Sequence, residues 1–131
     1  MIVTVTLNPS IDRTAPIAGP LRRGQVNRLG SSTEVAAGKG VNISRVLRGA
    51  GIETCAVVPA GAKGRLTLGL NHDDIPHQVV PVAAAVRTNL TITEPDGTTT
   101  KINEPGADLS PEELTAVEEA IVEKSSGAQW S

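Results

Sequence analysis

The sequence predicts an α/β fold, and three segments together predict it. Residues 2–7 read "IVTVTL", an alternating and β-branched run that favours a strand. Residues 41–50 carry apolar side chains at helical spacing, and "ETCAVVPAG" at 53–61 is typical of a buried strand. A strand, a glycine-rich loop, a helix and a second strand in this order predict a βαβ unit with a right-handed crossover, the repeating unit of a doubly wound sheet.

The segment between the first strand and the helix predicts irregular β structure. Pro9 ends the first strand, and residues 13–35 are expected to form short β pieces with turns at Gly19-Pro20 and Arg23-Gly24. The helix that follows is expected to bury one apolar stripe. The stripe consists of Ile43, Val46, Leu47 and Ala50.

The next two elements carry weaker signals. Residues 62–76 predict only a weak helix, because Leu66, Leu68 and Leu70 do not share one helical face and a glycine interrupts them. Residues 77–82 predict a strand, and Pro81 favours an edge position for it.

The last third of the chain has the clearest local signals. Residues 86–106 form two alternating runs joined by Pro95-Asp96-Gly97, which predicts a β-hairpin. Ser110, followed by a proline and by Glu113, predicts a helix start with a capping box. That helix is expected to bury Leu114, Val117 and Ile121 and to expose its glutamates at 112, 113, 118, 119 and 123. Gln129-Trp130-Ser131 are expected to lead into another strand.

Composition excludes several classes of function. The chain has 131 residues, a formal net charge of −2, one tryptophan, and no phenylalanine or tyrosine. A surface without a basic footprint or aromatic platforms argues against nucleic-acid binding and against a polybasic membrane patch. No apolar stretch reaches membrane length and no signal peptide is recognised, so a cytoplasmic protein is expected. Cys55 lies in an apolar run and is expected to be a buried core residue.

Neither of the familiar nucleotide-binding patterns fits "AAGKGVNIS" at 36–44. A P-loop is excluded because Thr33 stands where its first glycine is required and Gly40 follows the lysine. A dinucleotide fingerprint is excluded because Ile43 stands in place of the third glycine. His72 and His77, near Asp73 and Asp74, have a spacing that fits no familiar metal site.

A different ligand remains compatible with the same segment. Gly38 and Gly40 allow close backbone approach, and the following helix offers unpaired N–H groups at its N-terminus. Lys39 adds a cation, and Asn42 can hydrogen-bond hydroxyl groups. Together they favour a phosphorylated or hydroxyl-rich small molecule, although a glycine-rich helix entry with a solvated lysine would look the same locally.

Two further residues are candidates for the same ligand. Asp12 follows the end of the first strand, where it could accept hydrogen bonds from two vicinal hydroxyls or be an ordinary turn aspartate. Arg87 opens the predicted hairpin, where it could fork onto a phosphate or be a solvated edge residue.

Long stretches of the chain resemble one family of sugar kinases. "AGKGVNISRVLRGAGIETCAVVPAG" at 37–61 is similar to the N-terminal signature of the ribokinase-like carbohydrate kinases of the phosphofructokinase B type. "TLNPSID", "GQVNRLG", "VRTN" and "KINEPG" resemble the phosphosugar branch of that family, which includes 1-phosphofructokinases and, next in likeness, tagatose-6-phosphate kinases. The resemblance runs in order through essentially the whole chain.

The resemblance implies a fold, an activity and a set of site residues. The implied fold is a ribokinase-like doubly wound core with a small β-sheet lid, drawn from residues 13–35 and 86–103, that often dimerises. The implied reaction is ATP- and Mg²⁺-dependent phosphorylation of a phosphosugar, with fructose 1-phosphate giving fructose 1,6-bisphosphate. The implied sugar and phosphate contacts come from Asp12, Gly38, Lys39, Asn42 and Arg87, with Asn103 as a weaker lid candidate.

The chain departs from the family pattern in two places. It stops before the motifs that the resemblance assigns to Mg²⁺, the adenine and the catalytic base, so residues 1–131 are expected to be the N-terminal part of a kinase domain and inactive alone. The alternative is a non-catalytic fragment that binds phosphosugar or dimerises through the lid. The second departure is a short segment before residue 76, with Asp74 where a glycine is typical, which predicts a truncated or irregular helix.

Overall fold

The structure is a computed structural model and describes residues 1–61 and 63–126. The predicted strand approach at 129–131 lies outside the described residues. The elements in chain order are β1 (Ile2–Val5), β2 (Ser10–Pro16), β3 (Thr33–Ala37), α1 (Lys39–Gly49), β4 (Thr54–Ala60), α2 (Arg65–His72), β5 (His77–Pro81), β6 (Arg87–Thr93), β7 (Thr99–Asn103) and α3 (Pro111–Ser125).

The first sheet is parallel and has three strands in the order β1-β4-β5. β1 pairs with β4 and α1 contacts both strands, which confirms the predicted βαβ unit. Among the described residues β5 pairs with β4 alone in this sheet, which agrees with its predicted edge position. β1 ends two residues earlier than predicted, although the Thr6 amide still donates to the carbonyl of Val57.

Helices cover both faces of the first sheet. All seven residues of β4 are buried. Val58 packs with residues of α1 and α2, and the adjacent Val57 packs on the opposite face with Val117 of α3. Alternate residues of a strand point to opposite faces, so this arrangement confirms the predicted doubly wound α/β core.

The second sheet has four strands in the order β3-β2-β6-β7. β2 pairs antiparallel with β3 and parallel with β6, while β6 and β7 form the predicted hairpin. The prediction for the first half of this sheet was wrong in detail. β2 already begins at Ser10, and residues 24–29 contribute only an isolated bridge between Leu29 and Ile17.

Helix α1 is confirmed, but its predicted buried stripe is wrong. Ile43 and Val46 are exposed, and the residues fully buried are Gly40, Val41 and Ser44. The reason is that small residues and hydrogen bonds between polar side chains hold this helix to the sheet. Ser44 shares hydrogen bonds of 2.7 Å with Thr4 and 2.9 Å with Thr54, all three hydroxyls being buried.

Helix α2 is as short as its sequence suggested. Leu66 and Leu70 are buried on one side, whereas Leu68 is exposed. Gly69 lies against β3, since a Cβ there would sit 3.0 Å from the side chain of Ala36. After the helix, Asp74 has a φ of 53°, the left-handed backbone in which glycine is favoured.

Helix α3 begins with both hydrogen bonds of the predicted capping box. Of its predicted apolar stripe, Val117 is buried and Ile121 packs against the core, but Leu114 is exposed. Glu113 is more than a solvated glutamate because its carboxylate also accepts from the amide of Ala83 at 2.8 Å. No helix in the described ranges is long and apolar enough to cross a membrane.

The cysteine prediction is confirmed. Cys55 is buried in β4, and desolvation by the core raises the pKa of its thiol above the ordinary value.

Candidate functional site

Three polar side chains form a row across the second sheet. Asp12 of β2 stands opposite Asn89 of β6, and Asn89 stands opposite Asn103 of β7. Residues directly opposite on paired strands point to the same face, with Cβ atoms about 5 Å apart. The Asn89 amide donates to Asp12 Oδ1 at 3.4 Å, and the hydroxyl of Ser10 donates to the same oxygen at 2.8 Å. We call Asp12, Asn89 and Asn103 the polar row.

The polar row changes the position assigned to Asp12. The sequence placed this aspartate in a turn at the end of the first strand, but it lies inside β2, in the second sheet. Its side chain is exposed, and Oδ2 has no hydrogen-bond partner among the described residues. Asp12 therefore presents a free acceptor oxygen on the sheet surface.

Asn89 belongs to the row but was not among the predicted site residues. Its Nδ2 is used by Asp12, and within the described part of the chain its buried Oδ1 has no partner. A buried amide oxygen without a donor is unusual, and a ligand hydroxyl would satisfy it. The signal that could have identified it is its position two residues after Arg87, on the same face of the hairpin strand.

The two glycines of the helix entry contact the protein itself. A Cβ at Gly38, whose φ is 138°, would collide with the methyl group of Thr6. A Cβ at Gly40 would lie 2.8 Å from the carbonyl oxygen of Val5. The close backbone approach that the sequence assigned to a ligand is therefore made with the end of β1.

The first turn of α1 presents one cation and one amide to solvent. Lys39 is exposed, and no described residue hydrogen-bonds to its ammonium group. Asn42, three residues on, is also exposed, and its Oδ1 accepts from Arg45 Nη1 at 3.0 Å. Residues three apart are neighbours on a helix surface, so the ammonium and the Asn42 amide lie on one side of the helix N-terminus.

One backbone donor at this N-terminus is already used. The amide of Val41 donates to Thr6 Oγ1 at 3.1 Å. The remaining N–H groups of the first turn and the positive end of the helix dipole still favour an anion there.

Arg87, the first residue of β6, is held by hydrogen bonds to backbone carbonyls. Its Nη2 donates to the carbonyl of Asn8 at 3.3 Å and its Nη1 to the carbonyl of Glu104 at 3.4 Å. Its Nε is buried without a partner within the described residues. Arg87 is thus neither free nor a solvated edge residue; it links the segment after β1 to the segment after β7.

Strand pairing brings these groups to one end of the sheet. Ser10 of β2 pairs with Ala37 on one side and with Arg87 on the other, so Ala37 and Arg87 lie about 10 Å apart. This level is two residues from the polar row, and Lys39 follows Ala37 by two residues. Asp12 and Asn103 therefore lie in the polar row, and Arg87 lies two register positions from it. Gly38 and Lys39 follow the end of β3, three and four residues beyond the strand partner of Asp12, and Asn42 lies one helical turn further.

A separate cavity lies between the two sheets. It has a volume of about 380 Å³, and its lining includes Ile11, Ala60, Gly61, Leu66 and Val86. No predicted site residue lines it, and its lining is mainly apolar, so it is distinct from the polar row.

The charged groups near α2 pair with one another. Asp73 accepts from Arg45 at 3.0 Å and lies 3.1 Å from the ring of His72. The hydrogen bond to His72 and then Arg45 hold the pKa of Asp73 below its ordinary value. Within residues 1–61 and 63–126, no three histidine, cysteine or acidic side chains converge on a metal position.

Comparison with known proteins identifies relatives of the chain. It is 32% identical over 125 residues to the 1-phosphofructokinase of Vibrio cholerae, a match that covers 92% of this chain and 38% of that protein. Phosphofructokinase-2 of Escherichia coli, solved in complex with fructose-6-phosphate, superposes with a TM-score of 0.85 at 26% identity, over 93% of this chain and 41% of that one. A putative phosphofructokinase of Staphylococcus aureus superposes with a TM-score of 0.83 at 31% identity, over 92% of this chain and 39% of that one.

These matches cover most of this chain but less than half of each relative. The chain spans about two fifths of the length of these relatives, although nearly all of it is matched. No protein-family model matches it. In sequence and in fold, the chain is similar to phosphofructokinases of the phosphofructokinase B type, the resemblance that its motifs predicted.

Proposed function

We propose that the chain supplies the acceptor-sugar side of an ATP-dependent phosphosugar kinase, with fructose 1-phosphate as the acceptor and fructose 1,6-bisphosphate as the product. One observation carries the proposal: the polar row lies on the sheet whose strand β3 leads directly into the N-terminus of α1, where Lys39 is unpaired among the described residues. A phosphosugar needs groups that accept hydrogen bonds from its hydroxyls and a separate site that binds its phosphate.

The polar row binds the sugar hydroxyls in this proposal. Asp12 Oδ2 accepts from a hydroxyl, and the orphaned Asn89 Oδ1 accepts from its neighbour. Asn103, at the end of the row, adds an amide that can donate to a hydroxyl oxygen. A hydrogen bond to a charged acceptor is about twice as strong as one to a neutral acceptor, so Asp12 contributes most of the binding free energy from the polar row.

The phosphate of the sugar binds at the start of α1. Lys39 supplies the charge, and the helix N-terminus supplies backbone donors with a favourable dipole. Gly38 shapes the entry by letting the backbone turn against Thr6. Arg87 reaches the phosphate if it exchanges its two carbonyl partners for it, a gain because an arginine–phosphate fork is stronger than bonds to neutral carbonyls.

The relatives support this choice of ligand. The Vibrio relative is a 1-phosphofructokinase, and the Escherichia structure contains fructose-6-phosphate.

The second sheet acts as the lid, closing over the sugar and excluding water from the transfer. We place the enzyme in the cytoplasm.

The described residues do not fit a magnesium–nucleotide site. The glycine segment fails the P-loop pattern, and among residues 1–61 and 63–126 no three histidine, cysteine or acidic side chains are arranged to hold a metal ion. We therefore assign ATP, Mg²⁺ and the catalytic base to groups outside these residues, and we propose that the chain alone does not turn over.

A lid-dimerising fragment is a second candidate. β3 and β7 are the edges of the second sheet, and Val35 and Ile102 on them are 43% and 57% exposed. Unpaired edges that carry apolar side chains favour pairing with a second copy. Analytical ultracentrifugation of the chain distinguishes a dimer from a monomer.

Calorimetric titration tests the proposed ligand. We expect fructose 1-phosphate to bind and unphosphorylated fructose to bind at least tenfold more weakly. Lys39→Ala should weaken binding roughly tenfold or more, since a hydrogen bond to a charged group is worth about 1.5 to 3 kcal/mol. Lys63→Ala, another exposed lysine, is the matched control and should bind like the parent. Equal affinity of the parent and Lys39→Ala would remove the phosphate role of Lys39.

A coupled ATP-consumption assay tests the absence of turnover. We expect no rate above background with fructose 1-phosphate. Turnover that is lost in Asp12→Ala and retained in Asp108→Ala would show that the chain is active alone.

A further inference from the structure

We propose that Arg45 is a positioning residue that fixes the side-chain amide of Asn42 for ligand binding. This inference rests on the proposed function, because it concerns how one of the proposed ligand groups is held. Arg45 hydrogen-bonds Asn42 of its own helix, Ala36 of β3 and Asp73, the residue after α2. Its test has a readout that does not depend on the ligand.

The arginine is held on both sides by the protein. Nη2 donates to the carbonyl of Ala36 on β3 at 2.6 Å and to Asp73 Oδ2 after α2 at 3.0 Å. The side chains of Arg45 and Asp73 are only 33% and 28% exposed. A guanidinium fixed through one nitrogen in a rigid planar fork has the direction of its other nitrogen fixed as well.

The fixed nitrogen determines how Asn42 is oriented. Arg45 Nη1 donates to Asn42 Oδ1 at 3.0 Å. A guanidinium has donors only, so it can face the amide oxygen and not the amide nitrogen. The Nδ2 donors of Asn42 therefore point away from Arg45, and no described residue accepts from them.

The orientation of Asn42 determines whether its amide offers a ligand hydrogen-bond donors or an acceptor at the start of α1. A free asparagine can rotate and offer either its oxygen or its nitrogen to a ligand. With Oδ1 occupied, Asn42 offers donors alone, as does Lys39 one turn earlier. The pair thus selects ligand oxygens that accept hydrogen bonds, which complements Asp12, whose free oxygen can only accept when ionised.

Side-chain amide NMR tests the orientation without ligand. In the ¹⁵N-labelled chain, the Asn42 Nδ2 resonances are assigned by their loss in Asn42→Ala. We expect Arg45→Met to shift these resonances and to speed rotation of the amide, while Arg48→Met leaves them unchanged. Arg48 is the matched control because it lies on the same helix and its only side-chain hydrogen bond within the described residues is to the carbonyl of Asp74. Unchanged Asn42 resonances in Arg45→Met would overturn the proposal.

A double-mutant cycle tests the effect on binding. We expect Arg45→Met to weaken fructose 1-phosphate binding by roughly five- to tenfold, the size of one hydrogen bond. In the Asn42→Ala background the same change should have almost no further effect, because Arg45 acts through Asn42. A loss of the same factor in both backgrounds would show a merely structural role and would contradict the proposal.

Two outcomes separate this inference from the proposed function. If the parent binds no phosphosugar, the proposed function fails, and the NMR result still decides whether Arg45 orients Asn42. If Arg45→Met does not fold, Arg45→Lys replaces it. Lysine keeps the charge but cannot reach Asn42 and Asp73 at once, so the same changes are expected.

Discussion

The two sheets of the molecule are stabilised in different ways. Every residue of β4, at the centre of the first sheet, is buried, whereas every residue of β6, inside the second sheet, is only half-buried. Helices pack on both faces of the first sheet. The second sheet leaves the polar row on an open face.

The difference separates stability from ligand binding. Burial of apolar side chains stabilises the first sheet, at about 25 cal/mol per Å² removed from water. The second sheet relies more on its backbone pairing, so its open face can carry an aspartate and two asparagines at little cost. The ligand groups thus lie on the part of the fold that packing constrains least.

The largest expected effect is a contrast between two strand valines. Val57 in β4 is 0% exposed, whereas Val35 in β3 is 43% exposed and stands beside the polar row. Val57→Ala should lower the free energy of unfolding by about 2 to 3 kcal/mol because it leaves a cavity in the core. Val35→Ala should change it by less than about 0.5 kcal/mol. Urea denaturation measures both, and equal losses would show that the second sheet is packed as tightly as the first.

The next effect concerns the helix entry that joins the two regions. Gly40→Ala should destabilise the chain by about 1 to 3 kcal/mol, because the new methyl group would lie 2.8 Å from the carbonyl oxygen of Val5. Gly49→Ala, in the last turn of the same helix, is the control. Nothing lies within 4 Å of its added Cβ, so alanine should stabilise the helix by up to about 1 kcal/mol. Chemical denaturation compares them, and a stable Gly40→Ala would mean that β1 can move away from α1.

The same contrast explains which features could be predicted from sequence. β4 and the β6–β7 hairpin were predicted because their signals are local: a continuous apolar run, and a Pro-Asp-Gly turn between alternating segments. The buried face of α1 was not, because Ser44 is buried by hydrogen bonds to Thr4 and Thr54, a contact that polarity alone does not reveal.

The candidate site shows the same limit. Asp12 was singled out by its position after the first strand and Asn103 by family resemblance. Asn89 was not among the predicted site residues, because its contact with Asp12 depends on parallel pairing of β2 with β6 across 77 residues of chain. Local patterns do not specify such a pairing. The resemblance also could not show that Arg87 is held by the carbonyls of Asn8 and Glu104.

A smaller effect should appear at the segment that leads from the first sheet to the second. Glu113 accepts hydrogen bonds from the amides of Ser110 and Ala83, and these bonds lower the pKa of its carboxyl. A lowered folded-state pKa stabilises the fold above the unfolded pKa, and this contribution is lost as pH falls through the folded pKa. Glu113→Gln should therefore be less stable than the parent at pH 7, with the difference shrinking in acid.

Urea titrations at pH 7 and pH 3 measure that difference. The control is Glu112→Gln, which changes an exposed neighbouring glutamate on the same helix turn. A Glu113→Gln deficit of the same size at both pH values would mean that the lost contact is steric and not electrostatic.

The smallest expected effect lies in the first region, at the turn between α2 and β5. Asp74 has a φ of 53°, and it is the sole non-glycine residue with positive φ within residues 1–61 and 63–126. Left-handed backbone is strained for a residue with a Cβ, while glycine gains freedom in the unfolded chain, so the two terms partly cancel. Asp74→Gly should stabilise the chain by about 0.5 kcal/mol and raise Tm by about 1 to 3 °C. Asp108→Gly, whose φ is not positive, should instead be neutral or slightly destabilising, because only the unfolded-state term remains. If thermal unfolding shows Asp74→Gly and Asp108→Gly to be equally destabilised, the aspartate is not strained at this turn.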